Sequence, residues 1–308
     1  MKKKILDFIE KIPSQKGKTI IITGTSGLAF NIAEILCKKR AVVVLAGRNE
    51  NKGFESIKTI RESNPKAIIS YEPVDLGDLR TVTQFINKMN VKYPVIDVLI
   101  NNAGVMNLDK KKYTKDGLEI HYQTNFLSHY YITNGLIENL KNSKDGRVIS
   151  LSSVAGYNKK LHFNDFYFDK RFRAYYAYGC SKLEAFMITK YHQEKYKNTN
   201  VKFLVAHPGI SSTNLFSGFT GFKYKFFRFF LKLPIFAQSS LMGSLNIAYA
   251  ATATDVKNGD SYGPKGLFHL KGFPTKVRYP RFSKNKVHQE MLVKLSNSTL
   301  ATNLITIV

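Results

Sequence analysis

The sequence predicts an α/β fold, a single doubly wound domain with a parallel sheet of about seven strands flanked by helices. Short β-branched runs alternate with longer amphipathic runs through the first two thirds of the chain, as in strands joined by helical crossovers. No repeat or low-complexity linker divides the 308 residues, of which 44% are hydrophobic. We therefore expect one domain over 18–283, preceded by a basic segment 1–17 and followed by a tail 284–308.

The strands are predicted from their apolar runs. The first two, KTIIIT and AVVVLA, are rich in β-branched side chains, which is typical of strands buried on both faces of a sheet. Four further runs continue the pattern along the chain. The six predicted strands lie at or within residues 18–23, 41–46, 67–76, 94–104, 147–153 and 201–209.

The helices are predicted between these strands, and local signals mark their ends. Asp78 has the position of an N-cap, because its side chain can accept hydrogen bonds from the first amides of a helix. Pro65 ends the helix before it, since proline lacks the amide hydrogen that a helix needs. The predicted helices end near Arg40, Ser63, Met89 and Asn142.

Charge and cysteine content exclude several classes of protein. The chain carries 47 Lys and Arg against 22 Asp and Glu, a net charge of +25, but no recognition motif points to nucleic acid. Cys37 and Cys180 are too few for a disulfide framework or a metal finger, and we expect no metal. No apolar run reaches the roughly 18 residues of a membrane span, and the basic opening lacks the apolar core of a signal peptide. These features predict a cytoplasmic protein.

A basic and aromatic segment, GFKYKFFRFFLKLP, occupies residues 221–234 within a predicted substrate insertion at about 211–236. From Lys195 onward, 16 Lys and Arg residues stand against three acidic ones. Three interpretations stay open: the segment caps a lipophilic pocket, it also lies on an anionic membrane surface, or it is a packed surface helix. Peripheral membrane contact is therefore an alternative to a purely cytoplasmic location.

A glycine-containing turn follows the first predicted strand. In an open α/β sheet, ligands bind beyond the carboxyl ends of the strands, where the strand order reverses. Two glycines in a strand-to-helix turn let the backbone approach a pyrophosphate, which the helix N-terminus stabilises, although an ordinary tight turn has the same pattern. The turn consists of Gly24, Thr25, Ser26, Gly27 and Leu28.

The end of the second strand indicates which dinucleotide such a turn would bind. An NAD-selective site carries an acidic residue there for the ribose 2′-hydroxyl, whereas an arginine accommodates the 2′-phosphate of NADP. Here Arg48 stands at the strand tip, and the first carboxylate is that of Glu50. This pattern favours NADP(H) over NAD(H); the alternative is a solvated arginine in a basic chain.

Tyr178 and Lys182 are the strongest candidates for chemistry. At positions i and i+4 they share one face of a helix. The attraction between an ammonium and a phenolate about 4 Å apart is worth up to about 4 kcal/mol at an effective dielectric of about 20. An attraction of this size is enough to lower the pKa of a tyrosine by up to about three units. A tyrosine with a lowered pKa can protonate the carbonyl oxygen of a bound molecule. Ser153, at the end of the fifth strand, is placed to hydrogen-bond that same oxygen. Tyr and Lys occur four residues apart by chance on many helices. They seldom do so in a chain that also has a serine at a strand end and a glycine turn after its first strand.

With these motifs the sequence resembles the short-chain dehydrogenase/reductase family over roughly 18–273. The resemblance implies a Rossmann-like fold in which Ser153, Tyr178 and Lys182 are catalytic. It implies that Asn125 supports a water of the proton relay. The dinucleotide contacts implied after the glycine turn are Asp75, Leu76, Asn102, Ala103, Gly104, Tyr178, Lys182, Pro208, Gly209 and Thr213.

Several stretches, among them YGCSKLEAFMIT and HPGISSTNL, resemble the retinol-dehydrogenase and protochlorophyllide-reductase-like branch. This resemblance implies an NADP(H)-dependent oxidoreductase that transfers a hydride between the nicotinamide and the carbonyl or alcohol of a lipophilic substrate. Tyr178 would act as acid in reduction and as base in oxidation. Members of the family often form homodimers through two long helices, here at about 115–142 and 174–198.

The glycine turn departs from the family pattern TG-x-x-x-G-x-G. Gly24 and Gly27 are one residue closer together, and Ala29 replaces the last glycine. Because a shorter turn offers fewer groups to the phosphates, a second interpretation stays open: a nucleotide-sensing or scaffold protein that has kept the fold and lost turnover. A Tyr178→Phe variant separates the two, since only an enzyme loses turnover with its acid.

Overall fold

The computed structural model describes residues 1–106, 110–212 and 238–305. The strands within these ranges are β1 Thr19–Thr23, β2 Val42–Gly47, β3 Ile68–Pro73, β4 Val98–Asn101, β5 Arg147–Leu151, β6 Lys202–Ala206, β7 Ser211–Ser212, β8 Gln238–Ser239, β9 Ser261–Pro264 and β10 Pro274–Lys276. Eight of them form one sheet in the order β10-β9-β6-β5-β4-β1-β2-β3, while β7 and β8 pair with each other.

The strand order reverses at β1. The chain runs outward from β1 through β2 to β3 and then returns to β4 on the other side of β1. In the described sheet seven strands are parallel, and β10 pairs antiparallel with β9. The predicted parallel sheet of about seven strands is confirmed, with β10 as an antiparallel addition. The gap between the carboxyl ends of β1 and β4 is where sheets of this kind bind ligands.

Helices cover both faces of this sheet. The described helices are α1 Lys2–Glu10, α2 Leu28–Lys38, α3 Glu50–Ser63, α4 Leu79–Lys92, α5 Ile120–Tyr122, α6 Ser128–Gly135, α7 Ile137–Lys141, α8 Ala174–Lys195, α9 Ser240–Thr252 and α10 Lys286–Ile305. Successive strand residues point to opposite faces, so Ile20 and Leu45 pack against α2, α3 and α9, whereas Ile21 and Leu99 pack against α4 and α6. Each face of the sheet therefore has its own apolar core.

The single long helix predicted to end near Asn142 is wrong, because the helix is composite. It begins at α5, where the side chain of Glu119 caps the first amides. A π-helical turn, Gln123–Leu127, follows and leads into α6. Leu136, with φ −107° and ψ 10°, then separates α6 from α7. A π-turn holds one extra residue, which α-helical periodicity in the sequence does not reveal.

Both terminal segments contribute a helix to the body. Ile5 and Ile9 of α1 share an apolar cluster with α2 and α9. Leu292 of α10 is fully buried in a cluster with side chains of α8 and of the composite helix, and Tyr130 Oη of α6 donates to Asn297 Oδ1 at 2.8 Å. α10 thus lies over the helices through which the resemblance implies a homodimer.

The basic aromatic segment at 221–234 lies outside the described residues, as does most of the predicted insertion at about 211–236. In the parts of the chain that are described, no helix combines the length and the apolar character needed to cross a bilayer. Nor do His, Cys, Asp and Glu side chains of the same parts gather in groups of three or more that suit a metal ion.

Candidate active site

One large cavity opens at the switch point between β1 and β4. Its volume is about 1030 Å³, and residues that follow the carboxyl ends of the central strands form its wall. The cavity brings together these sequence-predicted residues: Gly24, Thr25, Ser26, Gly27, Leu28, Arg48, Asp75, Leu76, Asn102, Ala103, Gly104, Ser153, Tyr178, Lys182, Pro208 and Gly209. Asn125 lies one layer behind the wall, where it bonds to Val105. Thr213 lies outside the described residues.

The glycine turn between β1 and α2 presents its backbone to the cavity. Gly24 has φ 104° and Gly27 has φ 62°, both in the left-handed region that other residues rarely adopt. A Cβ at Gly24 would lie 2.8 Å from Asn102 Nδ2, so the close approach of these two segments requires glycine. No side chain caps the N-terminus of α2, which leaves its positive end open toward the cavity. The shortened turn therefore still presents glycine backbone and an uncapped helix N-terminus to the cavity.

Thr23, the last residue of β1, holds the loop that follows β4. Its Oγ1 accepts hydrogen bonds from the backbone amides of Asn102, at 2.8 Å, and of Ala103, at 2.9 Å. With both lone pairs engaged, the hydroxyl must donate its own proton. The nearer acceptor is His129 Nε2 at 2.9 Å, whereas the carbonyl of Ile100 lies at 3.4 Å. Thr23 thus donates to His129.

This hydrogen bond fixes the tautomer of His129. Because Nε2 accepts, the ring proton lies on Nδ1, which donates to the backbone carbonyl of Asn125 at 3.3 Å. Burial lowers the pKa of His129 to about 3, so the ring is neutral. His129 connects the end of β1 to the π-turn. It was not predicted as a site residue, because the fold rather than any sequence motif brings Thr23 to it.

Asn125, within the π-turn, joins the loop after β4 to α8. Its Oδ1 accepts from the amide of Val105 at 2.7 Å, and its Nδ2 donates to the carbonyl of Val105 and to Ser181 Oγ, each at 3.0 Å. A Cβ at Gly104 would lie 3.0 Å from Asn125 Oδ1 and 3.4 Å from Lys182 Nζ, so glycine lets the loop pack against both. The support of a relay water by Asn125 stays a prediction.

Tyr178 and Lys182 of α8 meet Ser153 at one end of the cavity. Lys182 Nζ lies 5.9 Å from the centre of the Tyr178 ring and donates to the carbonyl of Leu151, the last residue of β5, at 3.2 Å. Ser153 lies beside them in the same wall, where its Oγ accepts from the amide of Ala155 at 3.2 Å. The neighbouring Ser152 instead donates to the backbone carbonyl of Lys182 at 2.6 Å. Of the two serines, Ser153 is therefore the one available to a substrate beside Tyr178.

The expected lowering of the Tyr178 pKa is wrong for this structure. Burial raises the pKa of Tyr178 to about 12, and the nearby Ser153 hydroxyl opposes this only in part. Burial also lowers the pKa of Lys182 to about 8. The ammonium of Lys182 donates to the Leu151 carbonyl rather than to the phenol oxygen, so removal from water outweighs the attraction between the two groups. At neutral pH, Tyr178 keeps its proton and Lys182 its charge.

A buried acid and a buried histidine lie next to Tyr178. Glu119 Oε1 lies 2.7 Å from His121 Nδ1, and the rings of His121 and Tyr178 meet edge to face with centres 6.0 Å apart. Burial and the nearby Glu119 carboxyl raise the pKa of Glu184 on α8. None of these three was predicted as a site residue, because none lines the cavity or follows a strand end.

The part of the cavity wall near β2 is basic. Arg48 directly follows β2, and Lys52 lines the same wall from the first turn of α3. Asn49 caps α3 by accepting a hydrogen bond from the amide of Lys52 at 2.9 Å, which fixes this turn beside Arg48. Lys52 was missed in the sequence, because it lies inside a helix rather than at a strand end. Two cations therefore face the region where the sequence placed only Arg48.

Comparison with known proteins identifies the family. The profile of the family described as short chain dehydrogenase matches residues 18–220. The chain belongs to the short-chain dehydrogenase family. This dehydrogenase is 31% identical over 242 residues to retinol dehydrogenase 12 of Mus musculus, covering 78% of this chain and 75% of the relative. It is 29% identical over 271 residues to polyprenol dehydrogenase of Danio rerio, covering 86% and 81% of the two chains.

A solved structure supports the fold of this dehydrogenase along almost its whole length. The crystal structure of an uncharacterized protein from Mycobacterium paratuberculosis superposes with a TM-score of 0.77 at 28% identity, covering 94% of this chain and 96% of that chain. Together these similarities place the dehydrogenase in the retinol-dehydrogenase-like branch. It is an oxidoreductase of alcohol or carbonyl groups that uses a nicotinamide dinucleotide.

Proposed function

We propose that this dehydrogenase transfers a hydride between NADP(H) and the carbonyl or alcohol of a lipophilic substrate, with Tyr178 as the acid and base. The proposal rests on one observation: the same cavity holds a Ser-Tyr-Lys group in one region and two basic side chains in another. Ser153, Tyr178 and Lys182 lie beside β5, and Arg48 and Lys52 lie beside β2. In the sheet these two strands are separated by β4 and β1, and the glycine turn follows β1.

NADP(H), when bound, supplies or accepts the hydride, while the chain holds and orients it. The glycine turn and the N-terminus of α2 would bind the pyrophosphate. Arg48 and Lys52 would bind the 2′-phosphate through charge-assisted hydrogen bonds, for which NAD(H) has no partner. Asp75 and Asn102, which line the wall between these regions, would contact the adenosine and the nicotinamide half.

The protonated Tyr178 is suited to donate a proton. Its pKa of about 12 keeps the hydroxyl neutral at physiological pH, so it can give the proton to the oxygen of a carbonyl during reduction. Ser153 would hydrogen-bond the same oxygen. Lys182 is charged below its pKa of about 8 and would stabilise the phenolate left on Tyr178. In alcohol oxidation the same side chains act in reverse, with the tyrosinate as base.

The wall near the catalytic residues favours an apolar substrate. Its lining includes Val105, Met106, Val154, Tyr175 and Ile210. Each apolar group buried against such a wall contributes binding free energy in proportion to its area, at about 25 cal/mol per Å². Two relatives carry names that refer to retinol and polyprenol, both lipophilic alcohols. This supports a hydrophobic alcohol or aldehyde as the substrate class.

The proposal is tested by comparing the wild type with Tyr178→Phe. The wild type should oxidise NADPH in the presence of a long-chain aldehyde, and the variant should lose roughly 10²–10⁴-fold in kcat, because it lacks the acid. Both should melt at higher temperature with NADPH present, since a ligand bound only to the folded state stabilises it. Stabilisation without turnover in the wild type would favour the nucleotide-sensing or scaffold alternative.

The cofactor preference is tested separately with Arg48→Ala and Lys52→Ala. Each substitution should weaken NADPH binding roughly tenfold to a hundredfold, because it removes a charged hydrogen-bond donor to the 2′-phosphate. NADH binding, which lacks that contact, is the internal control and should change little. An equal loss for both dinucleotides would contradict the assigned role of the two cations.

A further inference from the structure

The hairpin between β9 and β10 carries two exposed apolar side chains at its tip. Leu267 is 77% exposed and Phe268 is 75% exposed. They are adjacent in the chain, so they form one apolar tip rather than two scattered surface residues. Large side chains exposed to this extent side by side indicate a contact with something apolar outside the chain.

The backbone of this tip is held in an uncommon conformation. Phe268 has φ 51° and His269 has φ 57°, the left-handed region that non-glycine residues seldom adopt. Backbone hydrogen bonds support it, from Gly266 N to Lys271 O and from His269 N to Gly266 O, both at 2.9 Å. A third, from Leu270 N to Leu267 O, measures 3.1 Å. The strained turn therefore presents Leu267 and Phe268 outward as a built feature.

The sequence on both sides of the tip is basic. From 261 to 289 the sequence contains seven Lys and Arg residues and no Asp or Glu. Lys265 and Lys271 flank the tip, and both are exposed. Phe8 of α1 contacts Phe273 at the base of the hairpin with ring centres 5.6 Å apart, so the helix that begins with three lysines packs beside the hairpin. Apolar side chains ringed by cations are complementary to an anionic lipid surface.

The tip is also tied to the wall of the cavity. Ile210, which lines the cavity, donates its amide hydrogen to the carbonyl of Leu270 at 2.9 Å. Gly272 donates to Gln238 Oε1 at 2.9 Å, and Gln238 Nε2 in turn donates to the carbonyl of Pro208 at 2.7 Å. Whatever the tip contacts is therefore brought close to the substrate region.

We propose that the hairpin tip, Leu267 and Phe268 with the flanking Lys265 and Lys271, docks this protein on an anionic membrane surface. The two apolar side chains insert between lipids, and the lysines contact the acidic headgroups. This docking does not depend on catalysis. Where the proposed function also holds, it lets a lipophilic substrate pass from the bilayer toward the cavity with little exposure to water.

The docking is tested by co-sedimentation with vesicles of phosphatidylcholine and phosphatidylserine in equal parts. The Leu267→Ser/Phe268→Ser double variant should partition at least about tenfold less than the wild type, because it removes the buried apolar area. Val91→Ser/Val95→Ser is the matched control: Val91 is 83% exposed, and both valines precede the amino end of β4, away from the hairpin. This control should bind as the wild type does, and binding should weaken with salt.

A second measurement keeps the test independent of folding in the serine variant. The chain contains no tryptophan, so Phe268→Trp provides a single fluorescent reporter at the tip. Its emission should shift to shorter wavelength with the anionic vesicles and not with phosphatidylcholine alone. Docking by this tip is overturned if the double serine variant binds like the wild type, if the tryptophan emission does not shift, or if the wild type shows no preference for anionic vesicles.

Discussion

Tyr178 and Lys182 are both almost entirely removed from water, and this shifts their pKa values in opposite directions. Burial disfavours the charged form of each group, which for tyrosine is the deprotonated form and for lysine the protonated one. The pKa of Tyr178 is raised to about 12 and that of Lys182 is lowered to about 8. Below about pH 8 the pair is a neutral phenol beside an ammonium, and between the two values both groups are uncharged.

We expect kcat/KM for the dinucleotide to be constant near neutral pH and to fall as the pH rises through about 8. This ratio reports the free enzyme. Lys182 loses its charge over this range, whereas Tyr178 stays protonated and His129, with a pKa of about 3, stays neutral. Burial also lowers the pKa of Lys190, so Lys190→Met is the control and should leave the profile unchanged. A profile that stays level to about pH 10 would contradict the assignment to Lys182.

His129 should matter although it does not touch the cavity. We expect His129→Leu to lower the free energy of unfolding by about 1–3 kcal/mol, because Thr23 and the Asn125 carbonyl lose a buried partner. kcat should fall as well, since the π-turn carries Asn125. Denaturant unfolding and steady-state kinetics measure the two effects, with the exposed His162→Leu as control. An unchanged free energy of unfolding would refute the hydrogen-bond role.

At the scale of elements, the composite helix and α10 form one unit. The π-turn directs Asn125 toward the loop after β4, and the turns beside it present apolar side chains to α10. Tyr122 and Tyr130 lie in the same apolar cluster as Leu292 of α10. The Oη of Tyr167 and the Oγ1 of Thr299 add a hydrogen bond at 3.0 Å. α10 therefore supports the helix that positions a predicted catalytic residue.

Leu292→Ala should destabilise the protein by about 2–5 kcal/mol, because it leaves a cavity in a fully buried position. Val287→Ala is the matched control on the same helix, since Val287 is 63% exposed and should change the free energy of unfolding by less than about 0.5 kcal/mol. Equal effects of the two substitutions in thermal or denaturant unfolding would show that α10 is not part of the cooperative fold.

Some elements could be predicted from the sequence and others could not. β1 and β2 were predicted because buried parallel strands concentrate β-branched residues. The grouping of Ser153, Tyr178 and Lys182 was predicted because a strand end and one helix face set it. The π-turn was missed, since one added residue barely changes the apolar spacing, and the Tyr178 pKa was wrong, since it depends on burial by the whole fold. Lys52 was missed because only the placement of α3 brings it to the cavity.

At the scale of the whole molecule, α10 reduces the apolar helix surface that is available for pairing with a second copy of the chain. It covers apolar side chains of α8 and of the composite helix, such as Leu183 and Phe126, within the same chain. A stable dimer generally buries about 1,200–2,000 Å² of complementary surface. α10 therefore already covers part of both helices through which the resemblance implies pairing.

We expect the purified protein to be monomeric, with a mass near 35.0 kDa by light scattering after gel filtration. The physical reason is that pairing through these helices would first require α10 to leave its buried position. A mass twice as large, combined with cross-links between copies at α8, would contradict this expectation. A variant truncated before Lys286 should associate more strongly than the full chain, because it exposes the apolar face.

The short antiparallel strand β10 also affects how copies behave in a crowded solution. If the sheet ended at β9, the unpaired backbone amides and carbonyls of β9 could hydrogen-bond to a strand of another molecule. β10 pairs with β9 and is only three residues long. One of the three, Pro274, has no amide hydrogen to donate to a further strand. Lys276 adds a charged side chain at the same border, paired with Asp260 at 2.9 Å. The sheet is thus terminated on this side, and we expect this edge to resist strand-by-strand association of copies in a concentrated sample.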